Sequence, residues 1–432
     1  VSSQTQVRRV GLAGLGTVGG GLLELLAERA DYAPGAPRLA VSGVSARSRT
    51  RRRGADISAF AWHDDPVALA RSPETDIFVE LIGGSDGPAK AAVEAALDAG
   101  KPVVTANKAL IAEHGLALAR LAEARGVPLL FEAAVMGGVP AVKLLREGLV
   151  GDRIDSVAGI LNGTCNSILA EMEASGRDFA PVLADAQRLG YAEADPVMDV
   201  GGFDAAHKIA ILAALAFGAA PNFAAVKVEG IEKVSRLDIQ LAGELGFRIK
   251  LIASAERMGG GAAVQVAPAL VPLDHPLARA GGALNALFIE GARTGRLFVQ
   301  GAGAGAGPTA AAVAADIAEA AFGPARRPVF QRAASGLAPL AAADADAGAS
   351  KVYLRLVVRD RAGVIANVSD ALAKADVSID SFLQHPVGPT GLVPIVLTTQ
   401  AASAAAIAEA VDHISALEAV AEPPTVIRIA RA

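Results

Sequence analysis

The segment GLGTVG at Gly14–Gly19 constrains this chain more than any other, because of what flanks it. Val7–Ala13 reads as a strand and Val18–Ala30 as a helix, so the glycines fall on the turn between them. In a G-x-G-x-x-G turn, Gly14 permits the tight bend and Gly16 lets a pyrophosphate approach the backbone. Gly19 lets helix and strand pack closely. The helix N-terminus, with Thr17 and Val18 in its first turn, offers N–H groups and positive potential to phosphates. The spacing alone also fits a merely structural turn; the strand–turn–helix context carries the dinucleotide reading.

The alternation continues. Leu39–Val44, Ile77–Leu81, Val103–Thr105 and Pro128–Glu132 read as strands, and Pro88–Ala99 as a helix. Such alternation implies a parallel sheet with helices on both faces. An acid for the ribose 2′-hydroxyl would lie about twenty residues past the motif. None occurs between Asp31 and Asp56; Arg47, Arg49, Arg51, Arg52 and Arg53 crowd that loop instead. Arginine suits a 2′-phosphate, so NADP is favoured over NAD, with a solvated basic loop as the alternative.

At 432 residues the chain exceeds one ordinary core, and two or three domains are expected. Hydrophobic residues at 52% and charged residues at 20% exclude a disordered polymer, and a net charge of -5 argues against nucleic acid as a partner. The longest apolar run, Ile209–Ala220, contains Gly218 and meets Pro221, which marks a buried helix rather than a membrane span. VSSQTQVRRVGLAGLG shows no signal core, and one cysteine excludes an intrachain disulfide framework and a Cys-based zinc site. A cytoplasmic location is expected.

Residues 1–135 thus form a Rossmann-like NAD(P)-binding unit. Residues 136–323 read as an α+β substrate and dimerisation unit, with strands Val157–Leu161 and Leu297–Gln300 far apart. A helix over 309–322, after the glycines Gly301, Gly303, Gly305 and Gly307, is expected to pack back on the first unit. Those glycines permit close backbone approach to a ligand, or form a hinge. Residues 324–349, rich in Ala, Pro, Gly and Asp, read as a linker. Residues 350–432 then give strand Lys351–Val358, helix Gly363–Ala375, strands Ser378–Gln384 and Gly391–Thr398, helix Ala401–Leu417 and strand Thr425–Ile429. The order βαββαβ is that of a ferredoxin-like domain.

The charges that suggest chemistry cluster in GYAEADPVMDVGGFDAAHK, Gly190–Lys208, which holds Glu193, Asp195, Asp199, Asp204 and Lys208. From Asp204 the pattern is helical, so Asp204 and Lys208 share one face. A lysine held by a carboxylate can move a proton; an exposed ion pair is the bland alternative. Lys108 sits just past a parallel strand, where ligands bind. LNGTCN at Leu161–Asn166 also follows a strand, and its turn can hold a carboxylate. Cys165 reads as a small buried residue, and His207, turned away from Lys208, as structural. His63 and His114 carry no pattern. Glu132 and the turn after it offer oxygens that a hard cation prefers.

In order and spacing, GLGTVG, LIGG at Leu81–Gly84, VTANK at Val104–Lys108, FEAAVMGGVP at Phe131–Pro140, GILNGTCNSIL at Gly159–Leu169, Gly190–Lys208 and GAGAG before Pro308-Thr309 resemble homoserine dehydrogenase. RDRAGVIANVSDAL and VSIDSFLQ in the last unit resemble an ACT domain. The resemblance implies NAD(P)-dependent interconversion of L-homoserine and L-aspartate 4-semialdehyde in threonine and methionine biosynthesis. By motif position it implies Lys208 as proton donor, Lys108 as a cleft lysine and competitor for that role, and Asp204 as a substrate contact. Glu193 and Asp199 would hold the substrate, with Gly163 and Thr164 as its turn. Gly190, Glu193, Gly305 and Lys108 would lie near the nicotinamide. It further implies a monovalent cation such as sodium near Glu132, Val135, Gly137 and Val139, the last three through carbonyls. Met136 and Val139 depart from the usual residues of that turn, without affecting carbonyl ligation. In the ACT unit, Asp360, Gly363, Val364, Ile365 and Asn367 would form an effector loop for L-threonine, or the unit would only dimerise the chain. A homodimer is the minimum expectation and ACT pairing would raise it to a homotetramer. Two other readings stand beside this one: an aldehyde dehydrogenase working through a Cys165 thioester, and a non-catalytic sensor.

Overall fold

The computed structural model describes residues 7–28, 37–51, 54–192, 195–324, 327–343, 348–384 and 391–431. Arg52, Arg53 and Glu193 lie outside the described residues. The first unit runs β1 (Val7–Ala13), α1 (Thr17–Glu28), β2 (Arg38–Ser45), β3 (Ala61–His63), α2 (Pro66–Arg71), β4 (Ile77–Glu80), α3 (Pro88–Asp98), β5 (Val103–Thr105), α4 (Lys108–Arg125) and β6 (Leu129–Leu130). Its strands pair in the order β3-β2-β1-β4-β5-β6, all parallel. The strand order reverses between β1 and β4, which opens a crevice at their carboxyl ends. Strands of Val, Ile, Leu and Phe buried on both faces are what a helix-covered parallel sheet demands.

The second unit begins with short helices α5 (Ala133–Met136) and α6 (Ala141–Lys143) and a π-helical turn, Leu144–Gly148. It continues with β7 (Ile154–Ile160), α7 (Gly163–Ser175), α8 (Phe179–Arg188), α9 (Val197–Val200), α10 (Phe203–Phe217), β8 (Lys227–Val228), α11 (Arg236–Glu244), β9 (Phe247–Met258), β10 (Gly261–Pro272), α12 (Pro276–Arg279), β11 (Leu284–Gly291), β12 (Gly295–Ala302) and α13 (Ala306–Ala321). α10 is buried on nearly every side, which is why its sequence is apolar all round apart from its first turns. α13 packs against α1 and shares a core with β1, β4 and β5: Val313, Ala314 and Ile317 meet Val10, Leu12 and Val79.

The last unit is β13 (Val352–Arg359), α14 (Val364–Lys374), β14 (Ile379–Gln384), β15 (Leu392–Thr399), α15 (Ala404–Ser415) and β16 (Thr425–Ile429). It has its own core between sheet and helices. Its sheet is nonetheless continuous with that of the second unit: the order is β12-β11-β7-β9-β10-β16-β13-β15-β14, with β16 parallel to β10. The connecting residues 327–343 are packed chain rather than a free spacer. Val329, Phe330, Leu337 and Leu340 are buried, and Glu123 accepts the amides of Val329 and Ala334. Their Ala- and Pro-rich composition hides this because the few large apolar residues do the packing.

Candidate active site

The glycine turn has the shape its sequence predicts. Gly14 has φ +102°, and a Cβ there would lie 2.3 Å from the Leu81 carbonyl oxygen. A Cβ on Gly19 would lie 2.1 Å from the Gly14 carbonyl oxygen, so helix and strand touch through bare backbone. Gly16 has nothing within 4 Å of a would-be Cβ. Gly16 and Thr17 are exposed and Val18 is half-buried at the start of α1. Open space over a helix N-terminus fits a pyrophosphate. Beyond the end of β2, where Arg47 is exposed, Arg49, Arg51, Gly54, Asp56 and Ile57 line a depression that can take a charged group.

Across the crevice, the predicted charges converge on one carboxylate. Asp204, 8% exposed at the start of α10, accepts from Lys208 Nζ at 2.8 Å through Oδ2 and faces Lys108 Nζ at 3.1 Å through Oδ1. Lys108 opens α4, capped by Asn107, so the two lysines come from different units. Burial alone raises the Asp204 carboxyl, but both ammonium groups and the hydrogen bonds from Lys208 and Asn162 outweigh it and hold the acid well below the usual range. Lys208 also donates to the Leu161 carbonyl at 2.7 Å.

Asn162 was missed as a site residue. It caps α7 by accepting from the Cys165 amide, while its Nδ2 donates to Asp199 at 2.8 Å and to Asp204 at 2.9 Å. An Asn at the strand–helix junction, just before Gly163, is a cap signal; the bridge between two distant acids has no local signature. Burial raises the Asp199 carboxyl, opposed by the Asn162 hydrogen bond, so an ammonium brought beside it would be welcome. A Cβ on Gly163 would lie 2.8 Å from the Ala283 carbonyl oxygen, and Thr164 Oγ1 donates to the Tyr191 carbonyl at 3.3 Å, which brings exposed Gly190 to the rim. Glu80, at the end of β4 with no exposure, was also missed. It accepts from Thr105 Oγ1 at 2.5 Å and from the amides of Ile82 and Gly83, which fixes the crevice wall.

Two readings of histidine and cysteine hold. His207 stacks on Phe223 with ring centroids 4.1 Å apart, and burial lowers its pKa. Cys165 is buried, its Sγ 3.1 Å from the Asp199 carbonyl, and burial with nearby carboxylates pushes the thiol well up. Such a thiol is a poor nucleophile, against the thioester alternative.

The turn expected to take a cation lies against the later glycines. A Cβ on Gly137 would come within 2.6 Å of the Gly303 carbonyl oxygen, and Gly138 donates to the Ala302 carbonyl. Glu132 is buried and accepts the amides of Val142 and Lys143 at 2.8 Å each. Burial pushes its carboxyl up to about 7 against those two amides. The Val139 carbonyl accepts from the Ala141 amide. Each oxygen retains a second lone pair, so the carbonyls of Val135, Gly137 and Val139 with Glu132 remain a chemically apt donor set. Gly305, φ +109°, caps α13 on the exposed side of this region.

In the last unit, Gly363 (φ +87°) turns the chain into α14. Asp360, Ile365 and Asn367 are exposed there, and Val364 is buried. Arg361, Val364, Asn367, Leu417 and Glu418 line a shallow depression.

A doubly wound sheet with a glycine turn, facing a two-lysine carboxylate site, defines a dinucleotide-dependent oxidoreductase. Residues 14–132 match the family described as homoserine dehydrogenase, NAD binding domain, residues 140–318 homoserine dehydrogenase, and residues 352–413 the ACT domain. The homoserine dehydrogenase of Neisseria gonorrhoeae is 42% identical, over 97% of this chain and 98% of the relative. The crystal structure of a homoserine dehydrogenase from Thiobacillus denitrificans superposes with a TM-score of 0.92 at 41% identity, covering 98% of each chain. A hyperthermophilic archaeal homoserine dehydrogenase, solved in complex with NADPH, matches 73% of this chain and 98% of its own at 27% identity, TM-score 0.65. The chain belongs to the homoserine dehydrogenase family, with a C-terminal ACT domain. Among the described residues no helix is long and apolar enough to cross a membrane.

Proposed function

We propose that this chain interconverts L-homoserine and L-aspartate 4-semialdehyde, and that Lys208 is the group that exchanges a proton with the substrate oxygen. The observation that carries this reading is Asp204, one buried carboxylate held by lysines of both units. Lys208 spends two N–H groups on Asp204 and the Leu161 carbonyl, which aims the third away from both. It is only 11% exposed, so its proton is delivered without competing water. Lys108, 37% exposed, adds positive charge where an alkoxide develops. Asp199, together with Glu193, receives the substrate ammonium, and the Gly163–Thr164 turn receives its carboxylate. Bound NAD(P) supplies or accepts the hydride. Gly14, Gly16, Thr17, Val18 and Gly19 would hold its pyrophosphate, and Gly190, Glu193 and Gly305 would border the nicotinamide. Arg47 and its neighbours favour NADP, as does the NADPH complex of the archaeal relative.

The test is the absorbance of reduced nicotinamide formed from L-homoserine with NADP or NAD. Wild-type turnover that collapses in Lys208→Ala supports the assignment. Turnover that survives it moves the proton to Lys108 or water.

The ACT unit is proposed to bind L-threonine at Asp360–Asn367 and to inhibit. The shallow depression beside that loop, and a sheet shared with the catalytic unit, support this. A threonine titration that leaves activity and assembly state unchanged would sink it. Edge strand β14, with Ile379 and Phe382 exposed, offers a surface for pairing two copies into a homodimer or homotetramer. A sodium-like ion at the Glu132–Val139 turn and a place in threonine and methionine biosynthesis complete the reading.

A further inference from the structure

Behind the substrate turn lies a buried ammonium that the chemistry above does not use. Lys250 on β9 is 2% exposed. Its Nζ donates to Asn166 Oδ1 at 2.8 Å and to the Ala280 carbonyl at 2.9 Å, both neutral acceptors. Burial lowers its pKa to about 8, Arg248 adds repulsion, and Glu173, paired with Arg248, opposes it. An ammonium held this way is costly to bury, and an apolar side chain of its length would pack at less cost. Its partners lead to the site.

Asn166, 1% exposed, stands one turn into α7 past the Asn162 cap. Its Nδ2 donates to the carbonyls of Ala280 at 3.1 Å and Gly282 at 2.8 Å. The loop carrying those carbonyls passes so near the substrate turn that a Cβ on Gly163 would lie 2.8 Å from the Ala283 carbonyl oxygen. Asn285 follows, and its Nδ2 donates at 3.2 Å to the Leu161 carbonyl, the same oxygen that anchors Lys208. On its other side Asn285 fills the space at Gly303, where a Cβ would lie 2.1 Å from its carboxamide. Residues 280–285, the loop and the first residues of β11, therefore touch the substrate turn, the anchor of Lys208 and the glycine loop.

We propose that Lys250, acting through Asn166, is a positioning residue for substrate. It pins residues 280–285 and so sets the distance between the Gly163–Thr164 turn and Lys208. It touches no reacting atom. The inference rests on the homoserine reading, and wild-type turnover, measured first, tests that reading by itself.

The experiment compares wild type, Lys250→Met and Lys250→Met/Asn166→Leu. In Lys250→Met the KM for L-homoserine rises about tenfold, kcat falls less, and the KM for the dinucleotide stays within about twofold. The double variant removes the ammonium and the carboxamide but leaves the buried Ala280 carbonyl without a donor, so the unfolding temperature stays below that of the wild type while the homoserine KM stays high. A folded Lys250→Met with unchanged homoserine KM overturns the proposal. So does a double variant in which stability and KM recover together, since that is the behaviour of a packing residue. If Lys250→Met does not fold, the double variant alone decides between these results.

Discussion

Asp204 and Lys208 are neighbours on one helical face, and that pairing is readable from spacing alone. What spacing does not reveal is that Asp204 is shared with Lys108 and with Asn162, at the starts of α4 and α7, far away in the chain. The sharing makes the two lysines unequal. Lys208→Ala is expected to lower kcat by about 10²–10⁴-fold, the range for a lost general acid. Lys108→Ala is expected to cost less in kcat, because its ammonium is more exposed. A second residue-scale consequence concerns Glu132. Its folded pKa, about 7, lies above the ordinary 4.5. The folded chain therefore holds more protons than the unfolded chain between those values, and stability falls as pH rises through that window. Glu132→Gln should flatten this fall, read as the unfolding temperature measured from pH 5 to pH 8 without sodium. An unaltered slope would move the titration to Asp316, whose carboxyl burial also raises.

At the scale of elements, the βα turn was legible because the glycine requirements are local. Tight bend, open face and close helix approach each depend on residues adjacent in sequence. The three glycines should separate on substitution. Gly19→Ala places a methyl against the Gly14 carbonyl and should lower the unfolding temperature, bound cofactor or not. Gly16→Ala meets no protein atom, so the fold should be unaffected while the dinucleotide KM rises at least about tenfold, by obstructing the phosphate approach. Equal loss of stability in both variants would contradict this. The segment 327–343 illustrates the opposite case. Composition reads as linker, yet Phe330 seats against Gly115 of α4 and against Phe131, at 5.6 Å between ring centroids. Small-residue segments score as loops because their helix and strand signals are weak, whereas what holds them is complementary shape elsewhere.

On the scale of the whole molecule, the C-terminal unit is joined to the catalytic unit by more than a tether. β16 extends the sheet from β10, and Asp238 on α11, with no exposure, receives Arg355 at 2.6 Å and the Tyr353 hydroxyl at 3.1 Å from β13. Asp238 also closes a capping box with Ser235 at the start of α11, which packs on α7 behind the substrate turn. Asp238→Ala leaves the Arg355 guanidinium, its side chain 12% exposed, without its carboxylate. The expected cost is about 3–5 kcal/mol, seen as a lower unfolding temperature. Glu418→Ala, which breaks the exposed pair with Arg361, should cost about 0–1 kcal/mol. If threonine inhibits, Asp238→Ala should also weaken that inhibition; full inhibition in a folded variant would exclude this route.

The sequence by itself determined the local grammar of this protein: the glycine turn, the strand–helix alternation, the βαββαβ order and the helical partnership of Asp204 with Lys208. Each depends on residues within a few turns of one another, where backbone sterics and side-chain periodicity act. Only the tertiary structure decided that Lys108 and Asn162 complete the carboxylate site, that Lys250 is buried behind the substrate turn, and that two sheets become one. These follow from packing and hydrogen-bond satisfaction between distant segments, and neither leaves a periodic trace in the chain.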